Sequence, residues 1–164
     1  IRWIGVSNFD VPLLEASLAV APVHCLQPQY NMLQRQIEAD VLPFCREKGI
    51  AVIVYSPLAQ GLLTGKFTKD TKFVEGDWRA NRPLFQGELF LKSLEKVEKL
   101  KAFAAERGRT VGQLAVAWAL STPGVHAALV GAKRPSQIAE TLPGADWELT
   151  DEERAEIEKL LADN

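Results

Sequence analysis

The chain has 164 residues, with 19 lysines and arginines against 21 aspartates and glutamates, a net charge of -2. Its 47% hydrophobic and 24% charged residues match a soluble globular chain long enough to bury one core, and exclude a disordered tail. No basic excess exists to neutralise the phosphates of a nucleic acid. The most apolar stretch, Gly49 to Leu63, is too short for a membrane span and is broken by Ser56, Pro57 and Gln60. Cys25 and Cys45 form no C-x-x-C pair and read as buried, reduced thiols of an intracellular, cytoplasmic protein. No secretory signal opens the chain. It begins inside an apolar stretch rather than with Met, which leads us to expect further sequence upstream.

In chain order, Ile1 to Val6 reads as a buried strand closed by the turn Ser7-Asn8. Asp10 can cap a helix with Pro12 in its first turn and Leu14 and Leu18 on one face. Val23 to Tyr30 reads as a second strand. A helix follows with Ile37, Val41, Leu42 and Cys45 at turn spacing, blurred or kinked by Pro43 and stopped by Gly49. Ile50 to Tyr55 is β-branched and apolar throughout, the pattern of a strand buried on both faces of a parallel sheet.

Residues 56–90 differ. Glycines at 61, 65, 76 and 87 and prolines at 57 and 83 leave little periodicity, and so long a loop inside a compact domain is usually functional. Leu94, Val97, Leu100 and Ala104 then mark a helix ended by Gly108. Thr110-x-x-Gln113 opens another with Leu114, Ala117, Trp118 and Ser121 on one side. Val125 to Gly131 is the fourth strand. Pro135 opens a short helix through Leu142, and Thr150-x-x-Glu153 caps a terminal helix with Ile157, Leu160 and Leu161 as its stripe. Four strands, each followed by helix, predict an α/β chain with a parallel sheet: half of an eight-stranded barrel, or a small doubly wound sheet.

In such folds ligands sit at the carboxyl ends of the strands. Those ends are Ser7-Asn8, Gln27 to Asn31, Tyr55 to Gly65 and Gly131 to Arg134, rich in amides and hydroxyls and without a cluster of metal ligands. His24 and His126 lie at strand starts, where packing is the expected role. Gly131-Ala-Lys-Arg-Pro135 combines free N–H groups at a helix start with Lys133 and Arg134, an anion site or a solvated basic turn. Arg79 could clamp the same ligand or lie on the surface. Tyr55 could stack on a flat ligand or fill core. Ser7-Asn8 could be a simple turn, and Gln27 a satisfied amide.

Taken together, Ile4-Gly-Val-Ser-Asn-Phe9, Gln27-Pro-Gln-Tyr-Asn31, Tyr55-Ser-Pro-Leu-Ala-Gln-Gly-Leu-Leu-Thr-Gly-Lys-Phe67, Gly131-Ala-Lys-Arg-Pro-Ser-Gln-Ile-Ala-Glu140 and Leu149-Thr-Asp-Glu-Glu153 resemble the carboxyl-terminal half of an aldo-keto reductase. The Ser-Pro-Leu-Ala-x-Gly-Leu-Leu-Thr-Gly-Lys form is similar to the branch of bacterial reductases and potassium-channel β subunits. The resemblance implies a (β/α)8 TIM barrel of which residues 1–164 supply the last four β/α units and a C-terminal helix. It also implies NADP(H) across the mouth and a small aldehyde or ketone as substrate. Ser7, Asn8 and Gln27 would bond the nicotinamide carboxamide, and Tyr55 would stack on its ring. Ser56, Pro57, Leu58, Gln60 and Gly61 would line the pyrophosphate, with Lys66 and Arg79 near it. Gly131, Lys133, Arg134, Gln137 and Glu140 would hold the adenosine and its 2′-phosphate, although Thr141 stands where the family often has Asn.

The catalytic Asp, Tyr, Lys and His of the family lie on its first four units, so the resemblance implies no catalytic residue here. Tyr30 and Tyr55 match other positions. The partner expected for these strands is the amino-terminal half-barrel or a second copy of the chain, with neither nucleic acid nor membrane. Two further readings stay open. One is a nucleotide-binding regulatory module like a channel β subunit, without significant catalysis. The other, less suited to amide and aromatic strand ends, is half of a phosphate-binding isomerase or synthase barrel.

Overall fold

In the computed structural model, residues 1–162 are described; Asp163 and Asn164, the end of the expected single domain, lie outside the described residues. Four strands, β1 (Gly5–Ser7), β2 (Cys25–Gln27), β3 (Ala51–Tyr55) and β4 (Val125–Leu129), form one parallel sheet in the order β1-β2-β3-β4. The order never reverses, so the sheet lacks the switch point that defines a doubly wound arrangement.

The helices follow the capping signals. Helix α1 (Val11–Leu18) starts where Asp10 accepts from Leu13 N at 3.0 Å. Helix α2 (Val41–Lys48) starts at Asp40, so Pro43 falls in the first turn, where its missing N–H has no intrahelical partner to lose. Ile37 belongs instead to a separate 3₁₀ turn, Gln36–Glu38. Helix α3 spans Gly87–Ala105, α4 Val111–Leu120, α5 Pro135–Thr141 and α6 Asp151–Leu161. Helix α4 has the reciprocal cap of Thr110 and Gln113 and is buried nearly all round, with Trp118 fully buried and stacked on Tyr30 at 5.1 Å. The single apolar side expected for it was too narrow.

Several strand expectations are corrected. Ile1 to Ile4 lie outside β1, and Ile1, Trp3 and Ile4 are exposed, because β1 is the last strand of the sheet. β2 stops at Gln27 because Pro28 lacks a donor. The pairing resumes only as a bridge, with Tyr55 N donating to Pro28 O at 3.0 Å and Tyr30 N to Tyr55 O at 3.2 Å. β3 is buried on one face rather than two: Val52 and Val54 are inaccessible, whereas Ala51, Ile53 and Tyr55 are half-exposed. β4 ends at Leu129, before Gly131. Two histidines close the other end of the sheet: His24 Nδ1 accepts from Ile4 N and His126 Nδ1 from Val52 N, each at 3.1 Å.

The long loop ends at Gln86, where α3 begins. It is built of 3₁₀ turns at Ala59–Thr64, Trp78–Asn81 and Pro83–Phe85. Leu62, Leu63, Phe67, Leu84 and Phe85 anchor it in the core, a packing that its irregular sequence conceals.

Candidate functional site

At the carboxyl ends of β1, β2 and β3 the polar side chains meet. Asn8 adopts a left-handed backbone (φ 59°), which asparagine tolerates better than most residues. Its N–H donates to Gln27 O at 3.2 Å, and Ser7 Oγ donates to the same carbonyl at 2.8 Å. Tyr55 Oη donates to Asn8 Oδ1 at 3.0 Å, fixing its ring across the mouth of the sheet. Gln27 and Tyr55 remain half-exposed, and Ser7 and Asn8 are exposed. This group of expected site residues is brought together.

The turn after β3 is strained. Ser56, Ala59 and Gln60 are non-glycine residues at φ 56°, 46° and 58°, followed by Gly61 at 98°. Each left-handed residue costs roughly 1–2 kcal/mol, so the surrounding contacts must hold the turn. Asn31, fully buried, does part of this: its Nδ2 donates to Ser56 O at 3.1 Å and its Oδ1 accepts from Leu33 N at 3.0 Å. Asn31 was not among the expected site residues, although it closes the Gln-Pro-Gln-Tyr-Asn stretch. Pro57 is buried and Leu58 packs against the core. Gln60 Oε1 is buried without a hydrogen-bond partner, a deficit worth about 1–3 kcal/mol.

Cations gather beside this turn. Arg79 is gripped by Asp77 (Nε to Oδ1 2.9 Å, Nη2 to Oδ2 2.5 Å), and its Nη1 reaches Gln60 O at 3.5 Å. Its guanidinium lies 5.5 Å from the Phe67 and Phe73 ring centres. The Arg79 hydrogen bonds hold the Asp77 carboxyl down to about 2. Asp77 is a second residue the sequence reading missed, signalled only by its place two before Arg79. Burial, then the charges of Arg79, Lys133 and Arg134, push the Lys66 ammonium below its ordinary pKa. Four cations from two distant segments of the chain therefore act on one another.

The expected anion site at α5 is altered. Helix α5 has seven residues, and Gln137 Oε1 already accepts from Lys133 N at 2.7 Å and Arg134 N at 3.2 Å. The N–H groups of Lys133 and Arg134 are therefore committed, and these two residues have their side-chain charges left to attract an anion. Gln137 serves this local cap. Gly131 and Glu140 are exposed, and Glu140 O accepts from Gln113 Nε2 at 2.8 Å. Thr141 Oγ1 turns back onto Gln137 O at 2.8 Å.

The strand ends thus offer amides and a tyrosine hydroxyl on one side and cations on the other, with the unpartnered acceptor oxygen of Gln60 between them. Tyr30, by contrast, is fully buried among Trp118, Glu38 and Thr122, far from proton-transfer duty at the strand ends.

The Aldo/keto reductase family model matches residues 1–162. The chain is 40% identical over 162 residues to aldo-keto reductase YhdN of Bacillus subtilis, covering 98% of this chain and 49% of that protein. It is 38% identical to the NADH-specific methylglyoxal reductase of Escherichia coli, covering 92% and 46%. It is 41% identical to a probable voltage-gated potassium channel subunit beta of Arabidopsis thaliana, covering 73% and 38%. The solved glycerol dehydrogenase AKR11B4 of Gluconobacter oxydans superposes with a TM-score of 0.92 at 39% identity, over 99% of this chain and 49% of that one. The chain thus spans about half the length of the relatives it matches.

Proposed function

The chain belongs to the aldo/keto reductase family, and from that premise we propose that it supplies the cofactor-binding half of an NADP(H)-dependent reductase of small aldehydes and ketones. The observation that carries this reading is the strained turn at 56–61. It leaves Gln60 Oε1 buried and unpartnered beside the patch shared by Lys66, Arg79, Lys133 and Arg134. Strain in this turn is what a bound ligand would repay, and the Gln60 oxygen, an acceptor, would be met by a ligand O–H or N–H rather than by a phosphate oxygen.

The residues fit the cofactor. Ser7, Asn8 and Gln27 would hold the carboxamide and Tyr55 the ring. Residues 56–61 with Lys66 and Arg79 would hold the pyrophosphate, and Lys133 and Arg134 the 2′-phosphate. When bound, the cofactor supplies the hydride that a carbonyl carbon receives. Arg79 enters this role with Asp77 already on its guanidinium, which orients it before any ligand arrives. Lys133 and Arg134 are exposed at the start of α5 and favour the cofactor with the extra phosphate.

The proton needed at the carbonyl oxygen has no donor in this reading. Tyr30 is sealed in the core, and the Tyr55 hydroxyl is spent on Asn8. The four parallel strands, in unreversed order, are read as the last four of an eight-stranded barrel, the first four carrying the proton donor. The residues operate in the cytoplasm on this reading, and no helix among the described residues is long and apolar enough to cross a membrane.

A second reading, a nucleotide-binding regulatory module without significant catalysis, draws on the 41% identity to the channel β subunit. Both readings share the cofactor site.

Calorimetric titration of the chain with NADP⁺ and NAD⁺ tests that site. Lys133→Ala with Arg134→Ala should weaken NADP⁺ by about 1–3 kcal/mol, as for lost charge-assisted contacts, and leave NAD⁺ nearly unchanged. Equal losses for both would remove the 2′-phosphate assignment. The chain alone should not oxidise NADPH against a model aldehyde. Turnover abolished by Tyr55→Phe would mean that the proton donor lies within these residues after all.

A further inference from the structure

A second cluster of cations lies around α2, among residues outside the candidate cofactor site. A cleft of about 210 Å3 opens along α2, from Leu42 and Pro43 in its first turn to Arg46 in its last, against the turn leading into β4 and Arg154 of α6. Arg35, Glu38, Arg46, Thr122, Pro123 and Arg154 line it. None of the residues lining it is among those that form the candidate cofactor site.

The charges here do not cancel. Arg35 is matched by two carboxylates: it forks onto Glu38 (Nε 2.8 Å, Nη2 2.9 Å) and reaches Glu158 at 2.5 Å. Glu38 also accepts from Tyr30 Oη at 2.5 Å. Its two oxygens are thereby taken, and it faces Arg154 only at longer range. Arg154 is held by Ser121 Oγ. The nearby carboxylates of α2 and α6 are committed elsewhere, Glu47 to Lys48 and Glu153 to Arg107. Among the described residues, neither Arg46 nor Arg154 has a carboxylate within 4.0 Å.

Arg46 is also positioned by shape. A Cβ at Gly124, where φ is 96°, would lie 2.7 Å from Arg46 Cγ and 2.9 Å from Cδ. The Arg46 stem thus lies against a turn whose own left-handed backbone already calls for glycine.

We propose that this cleft binds a phosphate group, free or on a small phosphomonoester, with the Arg46 and Arg154 guanidinia as its ligands. Two guanidinia without acidic partners suit a compact dianion, which each can meet with a fork of parallel hydrogen bonds. The cleft volume leaves room for a few carbons beyond the phosphate. The site is independent of the cofactor reading.

Equilibrium dialysis of radiolabelled inorganic phosphate against the chain, in chloride at fixed ionic strength, tests this whatever assembly the chain adopts. Arg46→Ala and Arg154→Ala should each weaken one bound equivalent about tenfold, the scale of one charged contact. Arg46→Lys should retain only part of it, because an ammonium keeps the charge but not the fork, and Gly124→Ala should weaken it by displacing Arg46. Lys133→Ala with Arg134→Ala should leave this equivalent untouched. Glycerol phosphate displacing it more tightly than phosphate assigns a phosphomonoester; equal displacement assigns the free anion. Phosphate binding lost only in the Lys133 and Arg134 double variant, or equal in every variant, overturns the proposal. Arg46 is exposed, so its substitution should preserve the far-ultraviolet circular dichroism of the fold.

Discussion

Tyr30 shows what a single side chain does when burial removes its alternatives. Burial, with the hydrogen bond to the Glu38 carboxylate, pushes its phenol well above the ordinary pKa. Glu38 feels opposing effects: burial raises its pKa, but hydrogen bonds from Arg35 and Tyr30 outweigh this and hold it below the ordinary value. A carboxyl with a lowered folded-state pKa stabilises the fold above its unfolded value, about 4.3, and that contribution disappears as pH falls through the folded value. Urea unfolding of Tyr30→Phe near neutral pH should show a loss of about 1–3 kcal/mol, because Glu38 and Thr122 lose a buried partner. Glu38→Gln should flatten the acid limb of the stability profile relative to the parent; an unchanged limb would mean that the Arg35–Glu38 fork contributes nothing to folding. At this scale Asn8, Gln27 and Tyr55 were legible because they directly end or follow strands. Gln60 was legible as a candidate, but its unpartnered oxygen was not. That oxygen is orphaned by the left-handed turn around it, which no residue type there announces.

Among the elements, the helices were the most legible, since Asp10, Thr110 and Thr150 each cap the helix they were expected to start. Cap residues act on backbone donors within three residues, so sequence alone reveals them. Strand lengths were less legible, because a strand ends where its neighbour stops offering partners, not where apolar residues run out. The join between α4 and the turn at Leu142–Gly144 depends on tertiary contact. A Cβ at Gly144 would sit 2.5 Å from Gln113 O and 2.9 Å from Gln113 Cα, both backbone atoms that cannot swing away. Gly144→Ala should therefore cost about 1–3 kcal/mol through forced separation of the two elements. The thermal midpoint should fall accordingly. An alanine variant as stable as the parent would show that the two segments can separate at little cost.

For the whole molecule, the sheet has β1 and β4 at its ends, and one face of β3 is covered only in part. Ile1, Trp3, Ile4 and Leu129 add exposed apolar surface at or beside those edge strands. Unpaired strand edges beside apolar surface invite pairing with another chain, and closure into a barrel removes both edges at once. Size-exclusion chromatography with light scattering should show dimers or larger species rather than a monomer. A soluble monomer with slow hydrogen exchange in both edge strands would argue for a self-sufficient four-stranded domain and against the half-barrel reading.

The order of strands and helices, the caps and the family motifs could all be read from the chain, because each depends on neighbours a few residues away or on stretches kept intact. Tertiary structure alone decided which charges meet. It brought Lys66 and Arg79 near Lys133 and Arg134, committed the Lys133 and Arg134 N–H groups to Gln137, and pressed Arg46 against Gly124. Electrostatic and steric partners are chosen by distance in space, and residues separated by half the chain leave no local pattern to show that they will touch.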